Sequence, residues 1–333
     1  MRKIVVWVLI SITFILIGWF ANVAYRLPKS SSNPIAQIKP TPLLKYSIEN
    51  LATTSIPSSK IEIGDLISQT NDYSTYKYHM EFSPDLSKNL KTVSGIINIP
   101  KGVGPFPTVV MFRGFVDQKT YVMGTGTQPS AKVFAKNGYI TIAPDFFGFG
   151  ESDKESNDIF ETRFQTWTTA VTTLKSLSTI EKWDKNNVFI WGHSNGGQIA
   201  LTTLEITGAT YPTVLWAPVT MPFPGSILYF TYEYDDQGKY IVEHLSDFNS
   251  IYDSSKFSLT NYIDRIKAPI QLNQGTLDSE IPYFLNDSFT KQLKEATISA
   301  TYIKYSGNDH NMRPNWDQAV ENAMSFYKSH LLK

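Results

Sequence analysis

From Pro107 onward, short apolar-rich runs alternate with longer stretches in which apolar residues recur every three or four positions. The runs at 108–112, 139–143, 188–191, 213–217, 270–273 and 301–305 suit buried parallel strands. The stretches near 130–136, 163–177, 198–207, 283–294 and 315–331 have helical periodicity. Ahead of them, 76–82 and 93–99 alternate with aromatic and β-branched bias and predict an antiparallel opening pair. Strand and helix in strict alternation give a mostly parallel sheet with helices on both faces, an α/β fold whose reactive side chains belong on loops at the carboxyl ends of the strands.

One connection breaks this rhythm. About fifty residues, 218–268, separate two strands, and aromatic residues crowd their first half: Phe223, Tyr229, Phe230, Tyr232, Tyr234 and Tyr240. Inside a single domain so long a connection is usually functional. It is read as an inserted lid whose aromatics, Phe223, Tyr229 and Tyr232 foremost, line an apolar substrate pocket.

The amino terminus follows a different pattern. Residues 1–3 form a short basic tail, and 4–25 carry no charge. Twenty-two helical residues would reach about 33 Å, enough to cross a hydrocarbon core of about 30 Å. Ala21-Asn22-Val23-Ala24 at its end fits a signal-peptidase site badly, so 4–25 is read as an uncleaved single-pass anchor with the remaining chain outside the cytoplasm. Residues 26–45, rich in proline and serine, are a tether, and 46–333 form the folded α/β domain.

Composition narrows the function. Thirty basic residues offset thirty acidic ones, leaving no basic surface to bind nucleic acid. The chain has no cysteine, which removes disulfides, thiolate metal sites and a thiol nucleophile together. Hydrophobic residues at 42% are ample for one large core.

The chemistry centres on Gly192-His193-Ser194-Asn195-Gly196. A strand leads into it and a helix leads out, the setting in which a serine stands at the apex of a sharp turn between glycines small enough to let strand and helix approach. A serine hydroxyl needs an imidazole to take its proton, and the imidazole needs a carboxylate to fix its tautomer. Of five histidines, His310 alone lies just past the last strand. Asp278 follows the strand at 270–273 on its carboxyl side, with Glu280 on the same loop as the second choice. The amides of Asn195 and of Phe115, in the turn Arg113-Gly114-Phe115 after the strand at 108–112, would stabilise an oxyanion, with the Gly114 amide as the alternative to that of Phe115. Arg113 either borders the substrate pocket or pairs with a carboxylate such as Asp117 or Asp145. No metal or organic cofactor is needed for such chemistry.

These motifs, with Ala143-Pro144-Asp145 through Ser152 and the loops Gly275-Thr276-Leu277-Asp278 and Asp309-His310, resemble the α/β-hydrolase superfamily. From about Lys91 to Lys333 the chain is most similar to the catalytic domain of prolyl oligopeptidase-like serine peptidases. The resemblance implies an α/β-hydrolase fold and an acyl-enzyme serine hydrolase that cleaves peptide bonds, with acyl esters as the alternative substrate. The region ahead of Lys91 is too short for the family's β-propeller, and no Glu-Glu pair of the dipeptidyl peptidase type is present. A surface protein that keeps the fold only to bind a ligand is the reading of another class.

Overall fold

The computed structural model describes residues 40–231 and 236–332, so the segments read as tail, anchor and most of the tether lie outside the described residues, as does Tyr232. Pro42–Lys333 form one unit. Among the described residues no helix is long and apolar enough to cross a membrane.

Nine strands form one sheet: β1 (Glu62–Gln69), β2 (Tyr73–Phe82), β3 (Lys91–Pro100), β4 (Phe106–Phe112), β5 (Ile140–Pro144), β6 (Trp183–His193), β7 (Thr213–Trp216), β8 (Ile270–Gly275) and β9 (Ala300–Tyr305). Their spatial order is β1-β2-β3-β5-β4-β6-β7-β8-β9. The pairs from β1 to β3, and β3 with β5, are antiparallel; every other pair is parallel. The helices are α1 (Ile48–Thr53), α2 (Gln128–Lys136), α3 (Ile159–Ser176), α4 (Asn195–Thr207), α5 (Gly225–Leu228), α6 (Lys239–Asn249), α7 (Tyr283–Glu295) and α8 (Trp316–Ser329).

Successive residues of the central strands point to opposite faces, and both faces are apolar. Val109, Met111, Phe189, Trp191, Val214 and Trp216 pack with Ala131 and Phe134 of α2 and Ala323 and Tyr327 of α8. Val110, Phe112, Val188, Ile190 and Leu215 face the other way, against Phe164 and Ala170 of α3 and Leu201 and Leu204 of α4. An uninterrupted apolar run is what such a doubly covered strand requires.

Four elements escaped the sequence pattern: β1, α1, α5 and α6. β1 is exposed along its whole length, so it has no buried side chains to mark it, and its existence rests on main-chain pairing with β2. α6 lies within the connection read as a lid, which folds as α5, α6 and three 3₁₀ turns between Ser254 and Arg265.

Candidate active site

β6 ends at His193 and α4 begins at Asn195, leaving Ser194 alone at the turn with φ 54° and ψ −121°. A residue with a side chain adopts this conformation only when the surroundings enforce it. Here Ser194 N–H donates to the Trp216 carbonyl at 2.9 Å, and its own carbonyl accepts from Gly197 N–H at 2.9 Å and Val219 N–H at 3.0 Å. A Cβ at Gly196 would meet the Phe112 carbonyl oxygen at 2.0 Å, so only glycine lets α4 start so close to β4.

Asn195 N–H, in the first turn of α4, has no acceptor within the helix and lies at its positive end. The turn after β4 approaches from the other side: a Cβ at Gly114 would lie 3.0 Å from Ser194 Cβ. Arg113, just before it, is buried and committed. Its Nη2 donates to the Asp145 carbonyl at 2.9 Å and its Nη1 to the Gly114 carbonyl at 3.0 Å. The guanidinium centre lies 4.0 Å from the Phe149 ring centroid and 4.9 Å from that of Tyr121. Of the two expectations for Arg113, the structural one describes its guanidinium, although the acceptor is the Asp145 main chain. The Asp145 carboxylate is taken instead by Ser94 and Tyr121, each at 2.5 Å. The peptide between Gly114 and Phe115 is thus pinned by its oxygen, which turns Phe115 N–H the opposite way. The Phe115 side chain is 74% exposed.

The loop after β8 closes on Asp278. Its Oδ1 accepts from the amides of Glu280 at 2.9 Å and Ile281 at 2.8 Å; its Oδ2 accepts from Gln274 Nε2 at 2.9 Å and lies 2.9 Å from His310 Nδ1. Asp278 and His310 are 7% and 5% exposed. Burial works against the charge on Asp278, but the bonds from His310, Ile281 and Gln274 outweigh it and hold the carboxyl below the ordinary range. A carboxylate only accepts, so Nδ1 carries the proton and Nε2 is left as the basic atom. Ser194 Oγ forms no hydrogen bond with Nε2 in this resting geometry, as is common before substrate binds. Glu280, the second choice for the acid, sits elsewhere on the ring: its Oε2 is 3.4 Å from Nε2. The other aspartates have separate tasks. Asp309 caps its own loop by accepting from Asn311 and Arg313 N–H, and Asp287 bonds Tyr302 and Lys304.

Three side chains that sequence reasoning did not single out support this geometry. Gln274, fully buried, bonds Asp278, and its own Oε1 accepts from Asn286 Nδ2 at 2.6 Å. His193, inside the elbow, places Nε2 3.0 Å from the His310 carbonyl, so that nitrogen must be the donor, and the two rings lie 4.7 Å apart. Burial, with the neighbouring His310, lowers the His193 pKa to about 4 and keeps the ring neutral. The only available signal was position: Gln274 ends a buried strand as a polar residue, and His193 adjoins the nucleophile.

A cleft of about 480 Å³ adjoins this centre, bordered by Arg113, Phe115, Phe149, Ile159, Arg163 and Asn195. A larger cavity of about 640 Å³, lined by Trp191, Trp216 and Trp316, includes none of Ser194, Asp278 or His310 among its lining residues. The expectation that Phe223 and Tyr229 line the substrate pocket is corrected by their placement, since neither borders the cleft. Phe223 is 5% exposed and packs against Phe160, Phe164, Phe248 and Phe257 in the core. Tyr229 stands edge-on to Phe230 at the surface. The connection instead contributes Ile227, Tyr240 and Ile241 to a neighbouring cavity of about 530 Å³ along α3.

Residues 126–333, which carry the elbow, the Asp278 loop and the His310 loop, match the prolyl oligopeptidase family. The chain belongs to that family. It is accordingly a serine hydrolase with an α/β-hydrolase fold. No curated protein matches it by sequence. Among solved structures it is similar to an acetyl xylan esterase from Paenibacillus sp. R4 at 16% identity and a TM-score of 0.62, covering 87% of this chain and 94% of that one. Acetyl xylan esterase 1 from Thermoanaerobacterium sp. JW/SL YS485 gives 16% identity and a TM-score of 0.59 over 86% and 94%. A puromycin-hydrolysing peptidase of Mycobacterium tuberculosis gives 17% and 0.55, over 84% of this chain and 41% of the other. These members of two substrate classes share the fold with this chain.

Proposed function

We propose that the protein cleaves peptide bonds through an acyl-enzyme formed on Ser194. His310 takes the hydroxyl proton at Nε2 and returns it to the leaving amine, while Asp278 fixes the ring and stabilises its charged form. The amides of Asn195 and Phe115 receive the oxyanion, at positions that backbone contacts set in advance of substrate. The observation that carries this reading is the buried 2.9 Å contact between His310 Nδ1 and Asp278, linked to the strained serine turn by His193, which meets the His310 carbonyl. No cofactor enters any step. Family membership favours the amide. Acyl esters are the second reading, favoured by the similarity to acetyl xylan esterases along nearly the whole of both chains.

A fluorophosphonate probe applied to the full chain tests the common part. Wild type is expected to label and Ser194→Ala is not; equal labelling of both removes Ser194 from the role. Turnover of prolyl amides against short acyl esters then decides the substrate class. We also propose that 4–25 anchors the enzyme with its catalytic domain outside the cytoplasm; release into the soluble fraction without detergent would overturn this.

A further inference from the structure

Glu280 is unexplained by the chemistry above. Its side chain is 52% exposed, and Oε2 lies 3.4 Å from His310 Nε2, the nitrogen that must deliver a proton to the departing atom. With its proton on Nδ1, His310 presents a lone pair at Nε2, so this contact with an accepting carboxylate oxygen is a proximity and not a hydrogen bond. No lysine or arginine among the described residues forms a salt bridge with this carboxylate. Its backbone is fixed, because Glu280 N–H donates to Asp278 Oδ1. The negative charge is therefore tied by the main chain to the same carboxylate that orients the ring.

Resting on the acyl-enzyme reading, we propose that Glu280 selects substrates whose leaving group is positively charged. The departing oxygen or nitrogen must come within about 3 Å of Nε2 to take its proton. A cationic centre a few bonds beyond it then falls near Glu280, while an anionic one meets a like charge. Opposite unit charges roughly 6 Å apart, at an effective dielectric of about 40 between the protein-surface and water values, favour the cationic substrate about tenfold over a neutral one. An amino-alcohol ester and a peptide with a basic residue just after the scissile bond both satisfy this chemistry. In either case Glu280 acts on the leaving fragment through its charge and has no part in bond making.

The test is the ratio of kcat/KM for acetylcholine to that for its uncharged isostere 3,3-dimethylbutyl acetate, measured on the full chain. Because both carry the same acyl group, a general loss of activity divides out of the ratio. Wild type should prefer the cation about tenfold. Glu280→Gln should bring the ratio close to one, and Glu280→Lys should reverse it in favour of a leaving group bearing a carboxylate. A ratio unchanged in Glu280→Gln, with wild type still labelled at Ser194 by an uncharged fluorophosphonate, overturns the selectivity and leaves the acyl-enzyme standing. Absence of that labelling overturns both. Since Glu280 is half exposed and held by its backbone, each variant should fold, and thermal melting checks this.

Discussion

The loop after β8 and the long connection after β7 both follow buried parallel strands, yet they use their side chains in opposite ways. In the first, polar groups turn inward and are consumed by one another: Asp278 accepts from two amides and from Gln274, and meets the His310 ring. In the second, the aromatic residue that looked most ready for a ligand, Phe223, is spent on the core against α3 and α6. A buried polar network has few satisfactory arrangements, because an unpaired member is costly, so its residues hold one geometry. An aromatic side chain is content wherever it is covered, and abundance alone does not say by what. In this fold a polar residue after a buried strand is therefore a better guide to the site than a cluster of rings.

That contrast is open to attack by mutation. Ser194→Ala should reduce kcat by about 10⁶-fold with melting unchanged, read by steady-state kinetics on the best ester found. Asp278→Asn should cost about 10⁴-fold, because the amide stabilises the wrong tautomer of His310; a smaller loss would show that the network is less committed than it looks. Phe223→Ala should do the reverse, lowering stability by about 3–5 kcal/mol in urea unfolding while each folded molecule keeps its turnover. A fall in kcat/KM without a loss of stability would restore Phe223 to the pocket.

The His193 ring gives a smaller effect with a defined sign. Its pKa falls from 6.5 to about 4 on folding, so between those values the unfolded chain binds the extra proton and stability declines as the pH drops. His193→Gln should flatten that part of the profile between pH 7 and pH 4 while keeping a donor for the His310 carbonyl. Tyr229→Ala should be the mildest change, within about 0.5 kcal/mol of wild type, since the ring is at the surface.

Much of this was legible in the sequence, for reasons that differ from residue to residue. The strands β4 to β7 announced themselves because burial on both faces leaves a nearly continuous apolar run, whereas β8 and the partly exposed β9 carry polar residues and followed from the alternation of strand and helix. The elbow was legible because its geometry is encoded within five residues: glycine at 192 and 196 is a local steric demand. Asp278 and His310 were reachable because the fold requires them after particular strands. β1 was not, since a wholly exposed edge strand leaves no mark on the hydrophobic pattern. The engagement of Arg113 was legible in part: Asp145 stood among its expected partners, though through its carboxylate and not its main chain, while Tyr121 and Phe149 come from segments that no local pattern joins to it. Glu280 was legible only as a spare carboxylate; that it faces Nε2 depends on where the His310 loop comes to rest.

The abutment of Gly196 against the Phe112 carbonyl has a further consequence. β4 runs on to the amide of Phe115, and α4 begins with that of Asn195, so two main chains in direct contact carry both donors as one rigid block. The Asn195 amide is placed by main chain alone, and the Phe115 amide is braced by the buried Arg113, whose Nη1 holds the Gly114 carbonyl. The spacing of the oxyanion donors is thereby insulated from change elsewhere in the chain, and adaptation to new substrates is left to the exposed positions around the block, where a single exchange such as that of Glu280 alters which molecules are accepted without touching how they are cut.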